Sequence, residues 1–336
     1  MGRTGVRVSN LAFGTMSFGR EADRETSATL YRRCREAGIN MFDCADVYAK
    51  GESERILGEL VAGERDELVL ATKAYFPTGD GPNHRGASRY HLVRAVEASL
   101  RRLNTDRIDL LYVHKWDDSA AIDETMRALD DLVHQGKVLY LGASNFAAWQ
   151  VMKALGVAER RGLAPLVALQ PMYNLVKRQA EVELLPMAWS EDLAVFPYSP
   201  LGGGLLSGKY RRSDLREGGT ALPRVQPEGG RLRWDNRYHL RYGDDLNFEV
   251  AERFTELARA RDLHPATLAV AWVRAHPSVT APLLGARSLD QLEPLLAAAD
   301  LELDEDTYDA VGALAPRPPP ATDRSEERAG VEYLKK

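Results

Sequence analysis

Short apolar segments alternate with longer amphipathic segments along most of the chain. Eight apolar segments are nearly continuous, which is typical of strands buried on both faces; they are residues 11–14, 40–43, 68–73, 109–114, 138–144, 167–172, 194–199 and 279–285. Between them, apolar residues recur every three or four positions, as at Ile122, Met126, Leu129 and Val133. The pattern predicts strands that alternate with helices.

Residues that favour helix ends agree with this periodicity. Ser88 is suited to cap the helix that contains Val93, Gly136 to close the helix that follows Ile122, and Pro265 to begin a helix. Eight strands alternating with helices predict an α/β fold, a single-domain (β/α)8 TIM barrel. A doubly wound sheet is the alternative, but no Gly-x-Gly-x-x-Gly follows the first strand.

We expect the barrel to occupy residues 1–315 and an extended, proline-rich tail to occupy residues 316–336. Residues 211–245 have no sustained period and are rich in Arg, Gly and Pro. This segment follows the seventh strand, so it would lie at the barrel mouth. It could fold over a ligand or form a solvated insertion, and the sequence favours neither.

Composition excludes several classes of protein. The 336 residues are 44% hydrophobic and 28% charged, with a formal net charge of -5. Acidic and basic residues are mixed, so we expect no nucleic-acid partner. No apolar segment reaches the length of a membrane span, and the first residues do not resemble a secretory signal, so we expect no membrane partner and a cytoplasmic location.

The cysteine and histidine pattern indicates no metal site. Cys34 and Cys44 fit no zinc spacing, and we expect both to be reduced. The seven histidines form no His-Glu-x-x-His motif. The sequence does not indicate an oligomeric state.

Four ionisable residues lie at or just beyond the ends of consecutive predicted strands: Asp43, Tyr48, Lys73 and His114. A barrel would bring them to one mouth. There Asp43 would hold the Lys73 ammonium, which we expect to lower the pKa of Tyr48 and favour proton donation by its phenol. His114 could position a carbonyl oxygen.

Taken singly, each of these residues has a simpler interpretation. An isolated tyrosine usually packs, an aspartate at a strand end often caps a helix, and a single histidine is usually a partly buried structural residue. Their joint occurrence at successive strand ends favours the catalytic interpretation.

These residues, together with further motifs, resemble the aldo-keto reductase superfamily, in particular its branch of potassium-channel β subunits and bacterial reductases. The motifs are Gly14-Thr15-Met16, Asp43-x-Ala45-x-x-Tyr48 followed by Ser53-Glu54, Lys73, His114, Gly142-Ala143-Ser144-Asn145-Phe146, Gln170, Tyr198-Ser199-Pro200-Leu201-Gly202-Gly203-Gly204-Leu205, and Gly285-Ala286-Arg287-Ser288. They occur in order from about residue 5 to residue 296. The resemblance implies an NADP-dependent oxidoreductase with Asp43, Tyr48, Lys73 and His114 as its catalytic tetrad.

The resemblance also implies how NADPH would bind. Ser144, Asn145 and Gln170 would bond the carboxamide, and Tyr198 would stack on the nicotinamide. The other implied cofactor residues are Gly14, Thr15 and Met16 after the first strand, Ser199, Pro200, Leu201, Gly203 and Lys209 along the pyrophosphate, and Gly285, Arg287 and Gln291 at the 2′-phosphate.

The chain departs from the family pattern at three positions. Pro294 and Leu295 stand where relatives usually place an acid and an asparagine for the adenine, and Ala49 stands where they usually have glycine. His114 argues for carbonyl rather than enone reduction, since steroid double-bond reductases of the superfamily carry an acid there.

The expected function is therefore the reduction of a small-molecule aldehyde or ketone. A keto-sugar is one option, with Trp116, Trp234 and Tyr238 as candidate stacking residues, although ordinary packing also explains these aromatics. A regulatory or sensor subunit with little turnover is the alternative function.

Overall fold

The computed structural model describes residues 1–211, 232 and 235–323. Eight parallel strands form one sheet in the order β7-β6-β5-β4-β3-β2-β1-β8. They are β1 (Ala12–Gly14), β2 (Met41–Asp43), β3 (Val69–Ala74), β4 (Ile108–Val113), β5 (Val138–Ser144), β6 (Leu166–Gln170), β7 (Ala194–Val195) and β8 (Leu283–Leu284). Each predicted strand overlaps one of them.

Backbone hydrogen bonds between the segments around β7 and β8 close this sheet. The Thr280 N–H donates to Val195 O at 2.8 Å, and the Leu283 N–H donates to Pro197 O at 2.9 Å. The predicted (β/α)8 barrel is thus confirmed. β7 and β8 are shorter than predicted because Pro197 and Pro282 have no N–H with which to extend a ladder.

Helices separate the strands along the chain. They are α1 (Arg24–Glu36), α2 (Glu52–Val61), α3 (Arg89–Leu103), α4 (Ile122–His134), α5 (Ala148–Arg161), α6 (Leu184–Ser190), α7 (Asn236–Tyr242), α8 (Asp245–Ala260), α9 (Pro265–Arg274), α10 (Leu289–Leu296) and α11 (Glu305–Gly312). The Ser88 side chain accepts the His91 N–H at the start of α3, Pro265 begins α9, and Gly136 follows α4 with a φ of 69°. The predicted helix ends are confirmed.

The core has two layers. A small cluster, which includes Met41, Leu110, Tyr112 and Phe196, fills the barrel, and a larger one packs the strands against the helices. Tyr112 depends on Gly142 of the neighbouring strand, because a Cβ there would lie 2.5 Å from the tyrosine ring. Among the described helices, none is long and apolar enough to cross a membrane.

The segment predicted as an irregular loop, residues 211–245, is described at residues 211, 232 and 235–245. Its last part contains a short helix, α7, which the periodicity did not predict. The proposed tail is described as far as residue 323, and the domain boundary at residue 315 stays a prediction.

Candidate active site

A cleft of about 910 Å³ opens at the carboxyl ends of the strands. Its lining includes most of the predicted site residues: Gly14, Met16, Asp43, Tyr48, His114, Ser144, Asn145, Gln170, Tyr198, Ser199, Pro200, Leu201, Gly203, Lys209, Tyr238, Gly285, Arg287 and Gln291. The barrel topology therefore gathers residues from all along the chain at one mouth.

The charged centre of the site is the ion pair between Lys73 and Asp43, at the ends of β3 and β2. The Lys73 side chain is fully buried, and Nζ also donates to Cys44 O at 2.7 Å. Burial is the largest single effect and would lower the pKa of Lys73, but the charge of Asp43, its hydrogen bond and the nearby Tyr48 and Cys44 together outweigh it, so this pKa lies above its usual value. Lys73 is thus held charged beneath the cleft.

The Tyr48 hydroxyl lies 3.3 Å from Lys73 Nζ, within hydrogen-bonding distance. Burial raises the pKa of Tyr48 to about 12, while Lys73 opposes that rise. Lys73 therefore acts in the predicted direction, but the expectation of a lowered net pKa was wrong because burial is the larger effect. Tyr48 is firmly protonated at neutral pH.

The backbone just after Tyr48 is strained. Ala49 and Lys50 have φ values of 46° and 56°, in the left-handed region that favours glycine. The departure from glycine at Ala49 thus occurs at a position where alanine carries a conformational cost. Similar strain occurs at Asn145 and Ser199, whose φ values are 56° and 58°, and strained backbone of this kind is common at functional sites.

His114 faces Tyr48 across the cleft, with ring centroids 6.1 Å apart. Burial, and secondarily the Lys73 charge, hold the pKa of His114 well below its usual range. Its ring packs edge to face against Phe76 at 4.8 Å. Because Nδ1 is buried without a hydrogen-bond partner among the described residues, Nε2 is the ring nitrogen available to a ligand.

Polar groups at the ends of β5, β6 and β7 bond to one another. Gln170 Nε2 donates to Asp43 Oδ1 at 2.8 Å, and Asn145 Nδ2 donates to His114 O and Ser144 Oγ, both at 3.0 Å. The Tyr198 hydroxyl donates to Asn145 Oδ1 at 2.8 Å. These bonds hold the predicted carboxamide ligands in fixed positions beside the tetrad.

The turn after β7 forms another wall of the cleft. Gly203 has a φ of 69°, and a Cβ there would lie 2.7 Å from the Tyr238 ring of α7. The adjacent Gly204 approaches the Lys209 ammonium similarly, with a Cβ position 2.9 Å from Nζ. All three glycines of this turn have positive φ values, 58° at Gly202, 69° at Gly203 and 95° at Gly204, a conformation that favours glycine.

Three of the predicted site residues do not line the cleft, and a fourth lies outside the described part of the chain. Lys73 and Thr15 are completely buried beneath it, and the Thr15 hydroxyl lies 2.9 Å from Ser53 Oγ. Trp116 packs against two aromatic rings, Phe146 at 5.4 Å and Trp149 at 5.5 Å. Trp234 lies outside the described residues, so of the three candidate stacking residues only Tyr238 is placed in the cleft.

Sequence reasoning missed several lining residues, including Phe76, Lys115, Arg241 and His264. Phe76 and Lys115 lie two residues beyond the ends of β3 and β4, so their position was a usable signal. Arg241 belongs to α7, which has no counterpart in the predicted elements.

The lining fits a nicotinamide dinucleotide. A Cβ at Gly285 would meet nothing within 4 Å, so the backbone there is open to a ligand. Lys209 and Arg287 supply positive charge for phosphates, and the amides of Asn145 and Gln170 match a carboxamide. Among the described residues, no group of His, Cys, Asp and Glu side chains could hold a metal ion.

Comparison with known proteins agrees with this geometry. The Aldo/keto reductase family matches residues 10–316. The uncharacterized oxidoreductase YrpG of Bacillus subtilis (strain 168) is 37% identical over 329 residues, which are 95% of either chain. A probable voltage-gated potassium channel subunit beta of Arabidopsis thaliana is 33% identical over 90% of either chain.

A third relative has a more specific name. The norsolorinic acid reductase stcV of Emericella nidulans is 37% identical over 91% of this chain and 78% of its own. Strand order, cleft and relatives lead to the same assignment: the chain belongs to the aldo/keto reductase family of oxidoreductases.

Proposed function

We propose that the protein is an NADPH-dependent reductase of aldehydes or ketones in which Tyr48 donates the proton. The observation that carries the proposal is the position of the Tyr48 hydroxyl, 3.3 Å from the buried Lys73 ammonium and opposite His114 in the same cleft. A phenol placed this way can protonate the oxygen of a carbonyl as negative charge develops on it.

Each member of the tetrad has a separate task in this proposal. Tyr48 stays protonated until substrate arrives, because burial raises its pKa to about 12. As it gives up its proton, the adjacent Lys73 charge stabilises the phenolate, and Asp43 keeps Lys73 ionised. A neutral His114 can donate from Nε2 to the carbonyl oxygen and so orient it toward Tyr48.

When bound, the nicotinamide cofactor supplies the hydride that adds to the carbonyl carbon, so that hydride and proton together convert C=O to CH–OH. Arg287 and Lys209 support the choice of NADPH, since a guanidinium suits the 2′-phosphate dianion. The proposed partner is a small carbonyl compound, and the alcohol oxidation uses the same groups in reverse.

A second candidate is a cofactor-binding regulatory subunit with little turnover. It is favoured by the two plant relatives named as probable potassium channel subunits beta, which are 33% and 32% identical to this chain. Such a protein would keep the cleft and the cofactor residues but would not depend on proton donation.

The test combines NADPH binding with NADPH consumption against a panel of aldehydes, ketones and keto-sugars. Proton transfer by a positioned side chain contributes about 10²- to 10⁴-fold, so Tyr48→Phe should lose at least about 100-fold in turnover and keep its NADPH affinity. Tyr75→Phe is the matched control, because Tyr75 does not line the cleft. Tight NADPH binding without turnover across the panel would favour the regulatory function.

A further inference from the structure

Lys115 and Arg241 line the cleft, and neither has an ion-pair partner in the part of the chain that the structure describes. Two other arginines of the lining do lie next to a carboxylate. Arg237 pairs with Asp235 at 2.8 Å, and Arg20 lies 4.0 Å from Glu21. The cleft thus presents positive charge that the described protein does not neutralise.

Arg241 is held in place by aromatic rings. Its guanidinium lies 5.6 Å from the centroid of Tyr238 and 6.0 Å from that of Tyr242. Tyr242 is fully buried, and its hydroxyl lies 3.3 Å from both Met172 Sδ and Asn174 Nδ2. Rings anchored this way restrict the guanidinium before any ligand binds, which reduces the entropy lost on binding an anion.

Arg241 lines the same cleft as Tyr48, His114 and Tyr198. Burial raises the pKa of Tyr198, and the Arg241 charge opposes that rise. Lys115 adds a second cation directly after His114.

We infer that the carbonyl substrate carries a carboxylate, which Arg241 binds while the carbonyl oxygen lies between Tyr48 and His114. This inference rests on the proposed function and specifies its substrate class as oxo acids. A guanidinium binds a carboxylate through two parallel hydrogen bonds, whereas Lys115 contributes only a point charge. The cofactor phosphates have separate candidate partners in Lys209 and Arg287, so Arg241 is available to the substrate.

The experiment compares aliphatic ω-oxo acids of increasing length with their primary amides, which have nearly the same shape but no charge. We expect wild type to favour the best acid over its amide by about 10- to 100-fold in kcat/KM, as the loss of a charged hydrogen-bonded pair implies. Arg241→Gln should remove this preference, chiefly through a lower kcat/KM for the acid. Arg241→Lys should keep part of it, because it retains the charge.

Arg253→Gln provides the matched control, since Arg253 is an exposed arginine of α8 outside the cleft. Cofactor affinity and calorimetric binding of glutarate, an unreactive diacid, are measured for every variant. Glutarate binding that weakens about 10-fold or more in Arg241→Gln, with NADPH affinity unchanged, supports the inference even if no carbonyl compound is turned over. The absence of turnover would by itself reject only the proposed function.

Three results would overturn the inference. The first is equal use of acids and amides by wild type. The second is an acid preference that survives Arg241→Gln. The third is a loss of NADPH affinity in Arg241→Gln with the acid preference retained, which would assign Arg241 to the cofactor diphosphate.

Discussion

Replacing Lys73 by methionine breaks the buried ion pair beneath the cleft and leaves the Asp43 carboxylate without its cation. The Lys73 side chain is fully buried and that of Asp43 is 4% exposed, so both charges are removed from water. Without Lys73, Asp43 keeps one described partner, Gln170 Nε2 at 2.8 Å. Breaking a buried pair on one side costs about 3–5 kcal/mol, and we expect Lys73→Met to lose this much stability near pH 8.

The loss should be smaller at low pH. Burial raises the pKa of Asp43 even in the presence of Lys73, and without Lys73 nothing comparable opposes it. A folded-state pKa above the unfolded value gives stability that is present at low pH and lost as the pH rises toward the folded pKa. Relative to wild type, Lys73→Met should therefore be less destabilised at pH 5 than at pH 8, by up to about 1.4 kcal/mol per pH unit.

Urea unfolding followed by circular dichroism measures these differences at each pH. The double variant Asp43→Asn/Lys73→Met completes a cycle, and its loss should fall short of the sum of the single losses by about 2–3 kcal/mol, since neither charge is left alone. Additive losses, or a Lys73→Met loss that is the same at pH 5 and pH 8, would refute the electrostatic account of this pair.

Three further outcomes are expected. Ala49→Gly should stabilise the fold by up to about 1 kcal/mol in urea unfolding, because Ala49 has a φ of 46°, although the flexibility that glycine adds to the unfolded chain offsets part of the gain. Arg287→Gln should weaken NADPH but not NADH in fluorescence titrations, and equal weakening of both would remove Arg287 from the 2′-phosphate. Asp46 is buried, and burial together with Glu54 raises its pKa to about 8, so wild type should lose stability as the pH rises from about 4 to about 8. Asp46→Asn should flatten that pH dependence, and an unchanged slope would contradict it.

The strand pattern was predictable because a parallel barrel buries both faces of its strands, which leaves near-continuous apolar runs in the sequence. The proximity of the candidate catalytic residues was predictable for a related reason: Asp43, Lys73 and His114 lie at or next to the ends of three successive strands, and barrel topology brings such ends together. Residue order and strand topology were sufficient for both inferences.

Other features depend on contacts that the sequence does not record. The direction of the Tyr48 pKa shift is a balance between burial and the Lys73 charge, and only the packed structure gives the relative size of the two. Trp116 follows the fourth strand but packs against Phe146 and Trp149, so its position in the chain did not indicate its direction. Arg241 belongs to a short helix inside a segment without periodicity.

A single-turnover measurement tests proton donation by Tyr48 without interference from product release. Wild type and Tyr48→Phe, each saturated with NADPH, are mixed with the best carbonyl substrate, and the absorbance of the reduced nicotinamide is followed. We expect equal cofactor loading and a transient at least about 100-fold slower in Tyr48→Phe. A transient of unchanged rate in Tyr48→Phe would contradict proton donation by Tyr48.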